Sequence, residues 1–152
     1  MAVAILGGLS VRLAISRGYP QGGVLSPLLW CLVVDDLLAR LSGSGVFIQG
    51  YTDDIRLLVV GKFPNTVSGL MQWALSTIEI WCNKVGLLVS PDKTGLVAFT
   101  RKRKLPGFFE PQFFRVKLSF SGSVKYLGVI LDSQLTWREH VAVKVRKPHN
   151  LL

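Results

Sequence analysis

Two short β-forming runs, residues 46–50 and 55–60, are separated by Tyr51-Thr52-Asp53-Asp54. Branched and aromatic side chains favour extended backbone, and aspartate favours the turn between such runs. The pattern predicts an antiparallel hairpin with both carboxylates at its turn. Adjacent carboxylates repel each other unless a cation neutralises them, and hard oxygen donors of this kind suit Mg²⁺. An Asp-Asp pair is also ordinary turn chemistry, so its meaning depends on its surroundings.

Upstream, residues 10–16 alternate loosely between apolar and polar and read as a strand. A turn-rich segment follows, Gly18-Tyr19-Pro20-Gln21-Gly22-Gly23. Ser26 and Pro27 mark a helix start, a hydroxyl cap and then proline at the first helical position. That helix is expected to reach about Leu41, with its apolar first two turns and Trp30 buried. Asp35 and Asp36 point about 100° apart on it, so they read as a solvated face, Asp36 pairing with Arg40. Downstream, Asn65 or Thr66 opens a second helix. Its stripe is Val67, Leu70, Met71, Ala74, Ile78, Trp81, Cys82 and Val85, and Gly86 is its stop. Residues 87–89 and 96–100 read as short strands around a Ser90-Pro91-Asp92 turn, and 101–111 as a loop. Residues 117–120 and 125–131 read as a hairpin around Ser121-Gly122, and the tail from Thr136 as basic and helical up to Pro148. The sum is an α+β pattern, an antiparallel sheet with helices on one face.

Composition, 49% apolar and 18% charged, excludes general disorder. The formal charge of +9 is uneven. Residues 1–100 hold 7 basic and 6 acidic side chains, whereas residues 101–152 hold 11 and 3. A basic final third fits an anionic partner, nucleic acid first, or a solvated cationic face. Phe108, Phe109, Phe113, Phe114 and Phe120, interleaved with Arg115 and Lys117, could stack bases, although core packing should take most of the rings. The two cysteines, Cys31 and Cys82, offer no disulfide framework and read as buried thiols in an intracellular chain. No apolar run approaches the roughly 20 residues of a membrane span, and the N-terminus lacks the basic start of a signal peptide. His140 and His149 have no partner at metal-ligand spacing.

Tyr51-Thr52-Asp53-Asp54 resembles the Tyr-X-Asp-Asp box of reverse transcriptases. Gly18 to Trp30 resembles their Pro-Gln-Gly block. Gly86-Leu87-Leu88-Val89-Ser90-Pro91-Asp92-Lys93-Thr94 is similar to the block that follows, and Val124 to Asp132 to the hairpin that grips the primer. Four blocks in order, over roughly residues 10–147, identify the chain as resembling a reverse transcriptase. The Trp30 variant and the stretch from Leu131 to His140 resemble insect-type non-LTR retrotransposons most, with group II intron maturases the nearest rival. The resemblance implies a palm-type antiparallel sheet with helices packed on one face, and RNA-directed DNA polymerisation with Mg²⁺. The implied partners are an RNA template, a DNA primer and deoxynucleoside triphosphates, in nucleus or cytoplasm, with no membrane. Asp53 is then a ligand of both catalytic metals and Asp54 a weaker one, and Lys93 approaches the nucleotide phosphates. Pro20, Gln21, Gly22 and Tyr51 line the nucleotide and template side. Tyr126, Leu127 and Gly128 match the primer grip. Arg101, Lys102, Arg103 and Lys104 are the candidate backbone contacts, with Arg115, Lys117 and Lys125 in support.

Two departures stand out. The family places a further catalytic aspartate on a strand before the Pro-Gln-Gly block, and residues 1–17 contain no Asp or Glu. Arg56 is charged where the strand after the aspartates is usually apolar; it should weaken cation binding or reach solvent. The expectation is an incomplete palm over residues 1–135, with the start of a thumb or a basic tail over 136–152. A catalytically dead nucleic-acid-binding remnant of a mobile element is the alternative.

Overall fold

The structure is a computed structural model that describes residues 2–6, 9–13, 23–102 and 104–145, the first two stretches as backbone only. Contacts divide the chain into two units, Met1–Arg40 and Leu41–Leu152.

In the first unit, strand β1 (Ala2–Leu6) pairs antiparallel with β2 (Leu9–Leu13), Leu6 opposite Leu9. The single strand expected over 10–16 therefore begins one residue earlier and has a partner that its sequence marks only as apolar. Helix α1 (Ser26–Leu41) follows, with the Ser26 N–H donating to Gly23 O at 3.1 Å. Arg40 complements the helix dipole in the last turn and pairs with Asp36 at 3.0 Å, as expected. The expected burial of the first two turns does not hold. Leu28, Leu29, Cys31 and Leu32 are exposed and Trp30 is half-buried, whereas Val34, Leu37 and Leu41 are buried. Burial follows one stripe at three- and four-residue spacing. Hydrophobicity all round a helix cannot say which sides have a neighbour.

The second unit opens with strands β3 (Val46–Tyr51) and β4 (Asp54–Val59), joined by Thr52 and Asp53. Pairing is antiparallel, with Gln49 opposite Arg56 and Tyr51 opposite Asp54. Helix α2 (Pro64–Val85) lies against both strands. Ala74, Leu75, Ile78, Trp81 and Cys82 are its buried apolar residues; Val67, Leu70, Met71 and Val85 of the expected stripe are only half-buried. Ser68 is buried too, because its hydroxyl has partners in the Pro64 and Asn65 carbonyls and the Phe109 N–H. Gly86 ends the helix at φ 72°, a left-handed conformation that glycine adopts without steric cost.

Beyond α2 the extended segments pair less than expected. Residues 87–89 form no strand and Leu88 is fully exposed; a single 3₁₀ turn, Pro91–Lys93, follows. Of residues 96–100 only Leu96 bridges, in parallel, to Phe120. Strands β5 (Gln112–Phe113) and β6 (Val116–Lys117) form a small hairpin. The Gln72 side-chain amide clasps it, accepting from the Gln112 N–H at 2.7 Å and donating to Gln112 O at 3.1 Å. Glu79 accepts the Phe114 N–H.

Strands β7 (Ser123–Tyr126) and β8 (Val129–Asp132) form the next hairpin, and helix α3 (Arg138–Val145) lies against β8. The expected turn at Ser121-Gly122 is corrected to Leu127-Gly128. Their φ values of 44° and 82° suit a two-residue turn whose twist matches the flanking strands. Ser121 and Gly122 are tied elsewhere, to Leu96 O and the Ser133 N–H.

The architecture is α+β. Among the described residues the strands pair as four separate two-stranded antiparallel ladders, not as one continuous sheet. No helix among them is long and apolar enough to cross a membrane.

Candidate active-site hairpin and nucleic-acid interface

The β3–β4 hairpin has two chemically distinct faces. Val46, Ile48, Gly50, Ile55, Leu57 and Val59 are buried or half-buried. On the other face Phe47, Gln49, Tyr51, Asp54 and Leu58 are exposed. Alternation of a pleated strand puts these sets on opposite sides, so packing against α2 dictates that Asp54 projects outward. Asp53 sits in the turn itself, one residue beyond the ladder. Thr52 precedes it at φ 50°, and its hydroxyl lies 2.9 Å from Asp53 Oδ1 and 2.8 Å from Tyr51 O. Both carboxylates therefore stand exposed at the tip of a hairpin backed by a helix. The turn falls at Thr52-Asp53, and Asp54 already belongs to β4.

Arg56 is the half-buried member of the outer face. Its side chain keeps a quarter of its surface exposed, and its guanidinium lies over the Tyr126 ring. Its Nη2 is 3.6 Å from Asp54 Oδ2, while Nη1 is buried without a partner. The Tyr126 hydroxyl donates to Gln49 Oε1 at 3.1 Å. Gln49 and Arg56 are cross-strand partners, so one ladder position grips both the ring and the hydroxyl of Tyr126. This joins the aspartate hairpin to the β7–β8 hairpin. Sequence reasoning flagged Arg56 as odd but could not find its partner, which lies 70 residues downstream.

Leu127 and Gly128 form the exposed tip of β7–β8. Asp132 closes its base. Its carboxylate accepts the Gln134, Thr136 and Trp137 N–H groups and the Thr136 hydroxyl. The Thr136 N–H, above all, holds this carboxyl below the usual range, against a smaller opposing effect of desolvation. His140, from α3, accepts the Ile130 N–H at Nδ1.

Lys93 is exposed at the end of the 3₁₀ turn, and among the described residues no hydrogen bond or ion pair joins it to Asp53 or Asp54. Arg101, Lys102 and Lys104 are exposed on the loop before β5. Pro20, Gln21, Gly22 and Arg103 lie outside the described residues. Cys82 is buried, and burial, then the Glu79 charge, pushes its thiol pKa up; Cys31 is exposed, against expectation.

All nine Asp and Glu residues lie among the described ones, and no group of three metal-binding side chains forms there. Asp53 and Asp54 thus offer hard oxygen donors from one side only, with Arg56 beside the second. They fit part of a Mg²⁺ site and not a complete one.

Residues 5–131 match the reverse transcriptase (RNA-dependent DNA polymerase) family, and the chain belongs to that family. It is 31% identical over 150 residues to a probable RNA-directed DNA polymerase from transposon BS of Drosophila melanogaster, covering 95% of this chain and 17% of that protein. It is 32% identical over 133 residues to the RNA-directed DNA polymerase from mobile element jockey of Drosophila funebris, covering 84% and 14%. A Pol polyprotein of retrotransposable element R1 from Nasonia vitripennis is 28% identical over 138 residues, covering 86% and 33%. The chain is thus a reverse transcriptase domain homologous to the polymerases of insect non-LTR retrotransposons, and it spans a third or less of the length of these relatives. No solved structure matches it.

Proposed function

We propose that this chain forms the primer- and metal-facing part of an RNA-directed DNA polymerase palm. The observation that carries this reading is the outward projection of Asp53 and Asp54 from a helix-backed hairpin that is bolted, through Arg56 and Gln49, to Tyr126. Asp53 and Asp54 would hold Mg²⁺, whose chemistry when bound is to stabilise charge during nucleotidyl transfer. Tyr126, Leu127 and Gly128 present the primer strand. Tyr51, Pro20, Gln21 and Gly22 line the nucleotide and template side, and Lys93 meets the nucleotide phosphates. Arg101, Lys102, Arg103 and Lys104 contact the nucleic-acid backbone. Residues 1–135 serve as palm and 136–152 as the start of a thumb or a basic tail. Such work belongs inside the cell, in nucleus or cytoplasm.

A second reading is favoured by the carboxylates themselves. Two donors from one turn leave the opposite side of a metal pair unfilled, so the chain by itself binds nucleic acid without performing the chemistry. The experiment is titration of an RNA–DNA duplex with the chain at several salt concentrations. The expected result is sequence-independent binding whose log affinity falls by roughly 0.7–0.9 per phosphate contact per log unit of salt. Absence of binding at low salt would remove both readings.

A further inference from the structure

The loop before β5 and the strand ends beyond it enclose an open cleft of about 790 Å³ that shares no residue with the aspartate hairpin. Arg101 and Lys102 lie on its wall, and among the described residues neither is paired with a carboxylate. The one carboxylate in the lining, Glu110, is held by Lys117 at 2.9 Å. The aromatic part is Phe108, Phe109 and Phe120. Phe108 and Phe120 stack tilted at 4.7 Å, and Phe109 and Phe120 remain 47% and 41% exposed. Phe113, by contrast, is buried. The run of rings thus divides between core and surface, and the surface rings share the cleft with Arg101 and Lys102.

We infer that this cleft is a binding site for single-stranded nucleic acid, with a base stacked on Phe120 and phosphates on Arg101 and Lys102. The inference deepens the nucleic-acid reading above and rests on it. A phenyl ring can stack only on a base that has left its own stack, which selects single strands over duplex. Lys104, two residues further along the chain, is exposed as well, and several cations suit a chain of phosphates better than one free nucleotide. The cleft's volume lies in the range of small-ligand sites, enough for the stacked base and its sugar.

The test is fluorescence anisotropy of a labelled oligouridylate, single-stranded or paired with complementary DNA, titrated with the full 152-residue chain. Single strand should bind more tightly than duplex. Phe120→Leu keeps apolar bulk and loses the ring. It should weaken single-strand binding about tenfold and leave the salt slope unchanged. The double variant Arg101→Gln, Lys102→Gln should reduce that slope by about 1.4, roughly 0.7 for each contact. Phe109→Leu, at an exposed ring outside the Phe108–Phe120 pair, decides the matter through a weaker loss if Phe120→Leu fails to fold. Parental affinity in the folded ring variants overturns the cleft while leaving the wider nucleic-acid reading intact, whereas a parental slope in the charge variant overturns the cleft together with the backbone role of Arg101 and Lys102. Uridine monophosphate competing as well as the oligomer overturns the polymer ligand. Loss of all nucleic-acid binding at low salt, in the parent chain, overturns both.

Discussion

The β3–β4 and β7–β8 hairpins are built alike and supported differently. Each has a two-residue connection with a non-glycine residue at positive φ, Thr52 in one and Leu127 in the other. The first rests on α2, a helix of 22 residues with Trp81 and Ile78 nearly inaccessible. The second rests against α3, eight residues long with none buried; its own strands are half-buried, and it makes polar contacts at Asp132, His140 and Tyr126. A helix with a buried apolar face backs the first hairpin, whereas the helix beside the second has no buried residue. Side chains that must keep a fixed geometry need a rigid base of the first kind.

The largest expected effect tests the rigid base. Ile78→Ala removes buried methylene groups from α2, the helix that backs β3–β4, and should cost about 2–5 kcal/mol, read as a lower urea midpoint with an unchanged slope. Next is Gly128→Ala on the other hairpin. Open space surrounds that position, so the penalty is purely conformational, at φ 82°, and should be about 1–2 kcal/mol. A smaller change, about 0.5–1.5 kcal/mol, is expected for Tyr126→Phe, which loses the Gln49 hydrogen bond but keeps the ring on Arg56. A double-mutant cycle of Arg56→Ala with Tyr126→Leu, which removes the ring, should show coupling between the two hairpins. Additivity there would show that the two hairpins are energetically independent.

The smallest effect is a pH dependence confined to β8 and its following turn. The folded Asp132 carboxyl is held below its unfolded value of about 3.9, so its stabilisation is complete above that pH. It is lost as pH falls through the folded value. An NMR titration following the Trp137 amide should show this, and Asp132→Asn should abolish it.

The hairpin with the two aspartates was legible because its signals are local: β-forming runs, a turn composition and a spacing that the family shares. Helix α2 and its glycine stop were legible for the same reason. The burial of α1 was not, since an all-round apolar helix carries no record of which side is covered. Nor was the Leu127-Gly128 turn, where Ser121-Gly122 offered an equally good local signal and tertiary hydrogen bonds decided between them. Arg56 shows the limit most clearly. A charged residue on a strand reads as an anomaly until Tyr126, far along the chain, supplies the surface it lies on.

We propose the Asp53–Asp54 tip as a correctly aimed but one-sided cation site on a nucleic-acid-binding domain. Templated primer extension by the purified chain, with an RNA template, a DNA primer, Mg²⁺ and deoxynucleoside triphosphates, tests it most directly. No extension is expected, while binding of the same template–primer persists. Extension by the chain alone that is lost in Asp53→Asn would contradict the proposal.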